Sequence, residues 1–263
     1  MNRCAKNCEL LGTNLKSGGS FLATSQQEEI LLSLVIPCYN EEGNVRDLFA
    51  RASKLLASES RAEVIFVNNG SSDSTGALLF ELCKGQSRTR VVTVNQNKGY
   101  GHGIKRGLET STGRIVGWTH ADLQTDPLDA LTGLEIAQHF SEPVFIKGLR
   151  RNRPLSDTVF TMGMSVFETL LFRIRLRDIN AQPTLFSRKL LASILEGPDD
   201  FSLDLFALVK ASEARYTQVR FPVKFGPRFS GTSKWNTSAA ARFRFIRRTI
   251  SFSLALAKRR LMK

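Results

Sequence analysis

Apolar residues first gather in a short run, Leu31–Ile36, closed by Pro37, which reads as a buried strand. Val45, Leu48, Phe49, Ala52 and Leu55–Leu56 then recur at helical spacing. The same unit returns three times: Glu63–Val67 before Asp73–Cys83, Arg90–Val94 before Tyr100–Glu109, and Arg114–Trp118 before Leu128–Phe140. Val144–Ile146 opens a fifth strand. Such alternation predicts an α/β fold with a mostly parallel, doubly wound sheet. Ligands of these sheets sit beyond the carboxyl ends of the strands. The polar clusters Pro37–Glu42, Asn68–Thr75, Asn95–Gly103 and Thr119–Pro127 all follow predicted strands. After residue 150 the alternation gives way to longer helical stretches and a basic end. The organisation expected is a flexible tail over 1–29, a domain over 30–236 and a basic helix over 237–263.

Composition narrows the reading. A chain of 263 residues, 42% hydrophobic and 23% charged, suits one globular α/β domain and excludes collagen and low-complexity disorder. Lys and Arg total 37 against 24 Asp and Glu, a net charge of +13 that calls for an anionic partner. A phosphorylated ligand or an anionic membrane surface is expected. Nucleic acid is not, because no reader motif accompanies the charge. No apolar run approaches the ~18 residues of a transmembrane helix, and Met1–Leu11 lacks a signal peptide's apolar stretch. Cys4, Cys8, Cys38 and Cys83 match neither zinc spacing nor a disulfide framework. A cytoplasmic protein is expected, or one held peripherally on the cytoplasmic face of a membrane.

Each polar cluster admits a chemical and a plain structural reading. In Pro37–Glu42, Tyr39 can stack on a base and Glu41 can accept from a base or ribose; a strand exit with a helix cap explains the same residues. Asn68 and Asn69 can read a base, while Gly70 and Asp73 suit an ordinary turn and cap. In Asn97–Gly107, Lys98 and the glycines suit a phosphate or ribose, although a lone glycine pattern is weak. His120, Asp122 and Gln124 alternate, so an extended segment projects them to one side. They offer nitrogen, carboxylate and amide oxygen to Mg²⁺ or Mn²⁺, with substrate phosphates completing the shell. Asp122 as a loop hydrogen-bonder is the alternative.

Taken in order, these clusters resemble the family 2 glycosyltransferases, in the branch of dolichyl- and polyprenyl-phosphate mannosyl- or glucosyltransferases. Val35–Glu41 is similar to the family's opening strand and nucleotide loop, Asn69–Thr75 to its acidic turn, and His120–Gln124 to its metal motif. Gly148-Leu149-Arg150 is similar to a donor-side basic motif, Asp178–Arg188 to the acceptor loop, Phe201–Asp204 to a later acidic helix, and Arg228–Trp235 to a closing basic loop. The resemblance runs from Leu32 to Asn236. Two departures stand out: the family usually has acids where Asn68 and Asn69 stand, and Asp where His120 stands.

The resemblance implies a GT-A fold and an inverting transfer from a UDP- or GDP-sugar to polyprenyl phosphate. A glycan or another lipid is the alternative acceptor. It implies Asp122 and Gln124, with His120, for the metal, and Pro37, Tyr39, Glu41, Asn68, Asn69, Lys98, Arg150, Gln182 and Arg188 for substrate. Arg228 and Lys234 would stabilise the departing diphosphate. Asp204 would serve as general base for a hydroxyl acceptor, whereas a lipid phosphate, already ionised, needs none. A nucleotide-sugar or lipid-phosphate binder without turnover is the rival of another class. Residues 242–263 carry eight basic residues and no acid. Phe243, Ile246, Ile250, Leu254, Ala257 and Leu261 share a helical face there, which suits either a helix lying on anionic lipid or one packed on the domain.

Overall fold

The computed structural model describes residues 29–151, 155–228 and 239–262. The tail over 1–28 and Lys234 lie outside the described residues. All five predicted strands form: β1 (Leu32–Cys38), β2 (Ala62–Asn69), β3 (Thr89–Val94), β4 (Ile115–Trp118) and β5 (Val144–Arg151). Between them lie α1 (Val45–Ser58), α2 (Thr75–Cys83), α3 (Tyr100–Leu108) and α4 (Asp129–Gln138). Then come α5 (Leu155–Phe172), β6 (Thr184–Ser187), a 3-10 turn (Arg188–Leu190), α6 (Leu191–Leu195), α7 (Leu203–Glu213), β7 (Thr217–Lys224) and α8 (Ala239–Leu261).

The seven strands form one sheet in the order β3-β2-β1-β4-β6-β5-β7. β1 pairs in parallel with β2 and β4, β2 with β3, and β5 with β7, while β6 runs antiparallel between β4 and β5. Two strands thus lie beyond residue 150, where the sequence pattern had lost its alternation. β6 is only four residues long, too short to show a period, and β7 has Pro222 inside it.

Side-chain alternation sorts the strand residues into two cores. Leu32, Leu34, Ile36, Val64 and Phe66 pack with Leu48, Leu55 and Leu79 of α1 and α2. Val35, Ile65 and Val67 face the other way, with Ile104 and Leu108 of α3 and Leu208 of α7. α3 lies hard against the sheet because Gly107 has no side chain: a Cβ there would come within 2.3 Å of Val35.

α8 docks on the domain. Ser253 donates to Glu168 of α5 at 2.7 Å, Arg260 pairs with Glu213 at 2.9 Å, Arg248 pairs with Asp200, and Leu256 is buried. The seated face therefore runs through Phe252, Ser253, Leu256, Ala257 and Arg260, which takes in Ala257 of the predicted stripe. Phe243, Leu254 and Leu261 of that stripe are exposed. Among the described residues no helix is long and apolar enough to cross a membrane.

Candidate active site

The polar loops converge beyond the carboxyl ends of β1, β2 and β4. The chain leaves β1 through partly exposed Tyr39 and turns at Asn40, whose φ of 55° is left-handed. Two loops are then zipped together. Asn40 accepts from the Ser72 amide at 2.9 Å, the Glu41 amide donates to Thr75 at 2.8 Å, and Glu42 accepts from the Ser74 amide at 3.0 Å. Burial opposes ionisation of Asp73, but hydrogen bonds from Thr75 and the Glu42 backbone outweigh it and hold its pKa below the ordinary value.

The metal motif lies next to this pair of loops. Asp122 is buried; one carboxylate oxygen accepts from the Gln124 amide at 3.2 Å and the other meets Arg228 at 2.9 Å. Arg228 also lies 3.8 Å from Glu41. Its position has a local cause: Gln124 donates from its side chain to the Gly226 carbonyl at 3.2 Å, and Gly226 donates back to the Gln124 carbonyl at 2.8 Å. That clasp holds the segment after β7 against the motif. A hard cation anchored on the Asp122 carboxylate and completed by substrate phosphates suits this donor set. Among the described residues no three His, Cys, Asp or Glu side chains form a metal cluster.

Behind the motif lies a polar network inside the protein. Lys147 and Asp204, 0% and 1% exposed, pair at 2.7 Å. Lys147 also donates to Thr184 at 2.6 Å, and Gln182 donates to Asp204 at 2.9 Å. Burial lowers the Lys147 pKa to about 8, against the pull of Asp204. Gln182 reaches Tyr100 at 3.2 Å, and Tyr100 reaches His120 at 3.2 Å. The Tyr100 ring is stacked on Phe201, with centroids 4.6 Å apart. Burial pushes the His120 pKa down, against Asp122 and Asp204.

A third group flanks these. Arg150 is held by Asp178 through its backbone amide at 2.8 Å and its Nε at 2.9 Å, and its guanidinium lies 5.1 Å from the Phe225 ring. Arg150 and Asp178 also line a cavity of about 480 Å³, together with Arg151, Arg175 and Arg177. Its apolar wall includes Met162, Val166 and Leu170, which are 60%, 56% and 74% exposed and lie four residues apart on α5.

Residues 33–175 match the model of glycosyl transferase family 2, more than half of the chain. The chain belongs to that family. It is 32% identical to an uncharacterized glycosyltransferase of Synechocystis over 79% of this chain and 65% of the relative. It is 28% identical to dolichyl-phosphate beta-glucosyltransferase of Saccharomyces cerevisiae over 58% of this chain and 52% of the relative. The chain thus spans less than two thirds of the length of either. Glucosyl-3-phosphoglycerate synthase of Mycobacterium tuberculosis, solved with Mn²⁺, UDP and phosphoglyceric acid, superposes with a TM-score of 0.66. It is 18% identical and covers 86% of this chain and 78% of its own. The expected GT-A fold is the one observed.

Within this family frame the predicted residues separate. Glu41, His120, Asp122, Gln124, Gln182, Asp204 and Arg228 are linked by the contacts above, and Arg150 stands beside the cavity. Lys98 is exposed on its loop. Asn68 accepts from the Ser71 amide at 3.1 Å and so braces its own turn. Buried Asn69 donates to the Gly99 carbonyl at 3.0 Å and is turned toward α3.

Arg188 requires a correction. It donates to the Ser111 and Gly113 carbonyls, at 2.7 and 3.3 Å, before β4 begins. Because β6 is antiparallel to β4, the segment that brings Gln182 to the site carries Arg188 to the opposite end of the sheet. The glycines after Lys98 are corrected too. Gly99 has φ 128°, and a Cβ there would lie 2.3 Å from the Asp199 carbonyl. They admit a neighbouring loop of the protein. Asp204, expected as a general base, is buried on α7. Sequence reasoning missed Lys147, Thr184 and Tyr100. The signal for Lys147 was a charge ending an apolar strand run just before Gly148.

Proposed function

We propose that the protein transfers a sugar, with inversion, from a UDP- or GDP-sugar to a polyprenyl phosphate. The observation that carries this reading is the α5 cavity. It combines an exposed apolar helix face with three arginines beside Arg150, the chemistry an isoprenoid chain and its phosphate require. The dolichyl-phosphate relative supports the same acceptor class.

Tyr39 and Glu41, at the carboxyl end of β1, would receive the nucleotide. Asp122, with the Gln124 segment, would hold Mg²⁺ or Mn²⁺, which supplies charge neutralisation for the diphosphate when bound. Arg228, already between Asp122 and Glu41, would turn to the departing diphosphate, and Lys234 would join it as the basic loop closes. Arg150 would orient the acceptor phosphate. The state of Asp204 favours an ionised acceptor: a carboxylate buried against Lys147 is poorly placed to take a proton from a hydroxyl. An acceptor that arrives as a phosphate anion needs no base and reacts directly. The exposed apolar residues of α5 and α8 would meet an anionic membrane surface, where the basic end adds electrostatic attraction.

The test is transfer of labelled sugar from a panel of UDP- and GDP-sugars, with Mg²⁺ or Mn²⁺, to a short polyprenyl phosphate. Leu170→Glu should lower lipid glycosylation at least tenfold while leaving donor hydrolysis intact. Transfer to a soluble glycan in preference to the lipid phosphate would defeat the acceptor assignment.

A further inference from the structure

Three acids of the domain grip α8. Arg248 pairs with Asp200, Ser253 donates to Glu168 at 2.7 Å, and Arg260 pairs with Glu213 at 2.9 Å. Both ion pairs are open to water, with Arg248 64% exposed and Arg260 30%. Such pairs hold weakly and yield to competing ions. The contact between them is imperfect. Glu168 is fully buried, and its second oxygen has no hydrogen-bond partner among the described residues, which weakens the seat.

The helix also carries more apolar surface than the seat uses. At about 100° per residue, an arc of roughly 200° runs from Phe252 and Leu256 through Ala257 and Ile250 to Phe243 and Leu254, broken by Ser253 and Arg260. The domain takes up Phe252, Leu256 and Ala257, while Phe243 and Leu254 stay exposed. Arg247, Arg248, Lys258 and Arg259 occupy the remaining arc, all of them exposed, and the helix has no acid. An anionic lipid surface can bury the whole apolar arc and pair those cations, since lipid phosphate accepts from arginine bidentately.

Asp200 links this seat to the candidate site. Its other carboxylate oxygen accepts from the Ser202 amide at 2.8 Å, at the entrance to α7, whose first turn carries Asp204. Between Asp200 and Ser202, Phe201 is stacked on Tyr100, with centroids 4.6 Å apart. Tyr100 in turn touches His120 and Gln182. On its other side the same loop is tied to α3, where Lys105 pairs with Asp199 at 2.8 Å.

We infer that α8 is a releasable latch on the candidate site: an anionic lipid surface draws it off its seat, and Asp200 then loses Arg248 and frees the loop that carries Phe201. The Tyr100 wall of the site thereby responds to the membrane. The choice of surface rests on the membrane reading above; the link from α8 through Asp200 does not.

The test takes the full-length protein with phosphatidylglycerol or phosphatidylcholine vesicles and neither donor nor acceptor, so it can fail while the transferase reading stands. Carbodiimide labelling of carboxylates, read by mass spectrometry, reports the seat, because docked α8 covers Glu168. Hydrogen exchange over residues 199–204 reports the loop. Phosphatidylglycerol should make Glu168 reactive and speed that exchange; phosphatidylcholine should do neither. Without vesicles, Arg248→Gln should speed the same exchange about threefold, the factor a partly exposed ion pair contributes. The inference is overturned if the protein binds phosphatidylglycerol with Glu168 still protected, or does not bind it at all. It is equally overturned if Glu168 becomes reactive while exchange over 199–204 is unchanged, or if Arg248→Gln leaves that exchange as it was.

Discussion

Replacing Lys147 with Met should cost far more stability than replacing both Lys147 and Asp204. The two groups are 0% and 1% exposed and 2.7 Å apart. At an effective dielectric of ~20, that separation gives about 6 kcal/mol of attraction. Removing two charges from water costs several kcal/mol per ion, so the pair nets little. Breaking it is another matter, because the surviving carboxylate keeps its desolvation penalty and loses its partner. Lys147→Met should therefore destabilise by about 3–5 kcal/mol. In Lys147→Met/Asp204→Asn no charge is left, and the Asn oxygen can still accept from Gln182. Asp204→Asn alone, which strands the Lys147 charge, should cost a similar ~3–5 kcal/mol, and the double variant should lie within about 2 kcal/mol of the wild type, an interaction energy of at least about 4 kcal/mol in a double-mutant cycle. Urea denaturation followed by circular dichroism at pH 7 reads all four proteins. If the single variant matches the wild type, or the double variant is as weak as the sum of the singles, the pair is not coupled as described.

The other expectations concern the periphery. Glu168, buried against α8, has its pKa raised to about 7 from the ordinary 4.5 by burial, partly offset by Ser253. The folded state then binds this proton more tightly than the unfolded one, so its contribution is complete below pH 4.5 and is lost as pH rises through 7, by about 3 kcal/mol. Glu168→Gln should flatten that decline in a series of melts between pH 5 and 8; an unchanged slope assigns it to other groups. Arg188→Met should leave donor KM unchanged and lower stability by about 1–3 kcal/mol through the lost carbonyl contacts, whereas a raised KM would return Arg188 to the site.

The local pattern of the chain determined which elements form over residues 31–146 and where the chemistry gathers. Short, nearly continuous apolar runs have one favourable outcome when both faces of a strand are to be buried, and polar clusters at strand ends have nowhere else to go in a parallel sheet. The placement of His120, Asp122, Gln124 and Glu41 just beyond strand ends was legible for that reason. Tertiary structure decided the rest. Gln182 and Arg188 lie six residues apart and reach opposite ends of the sheet, because the strand between them inverts. No local signal encodes a direction that only pairing with β4 and β5 sets. The glycines of α3 looked like a phosphate cradle and proved to be places where protein backbone approaches, since small size alone does not say what comes close. Asp204 was read as a candidate general base; its partner Lys147 is 57 residues away in sequence, and only packing brings the two together. For α8 the sequence left open a helix on lipid or one packed on the domain, and the face that docks is set by Glu168 and Glu213, which are far from it along the chain.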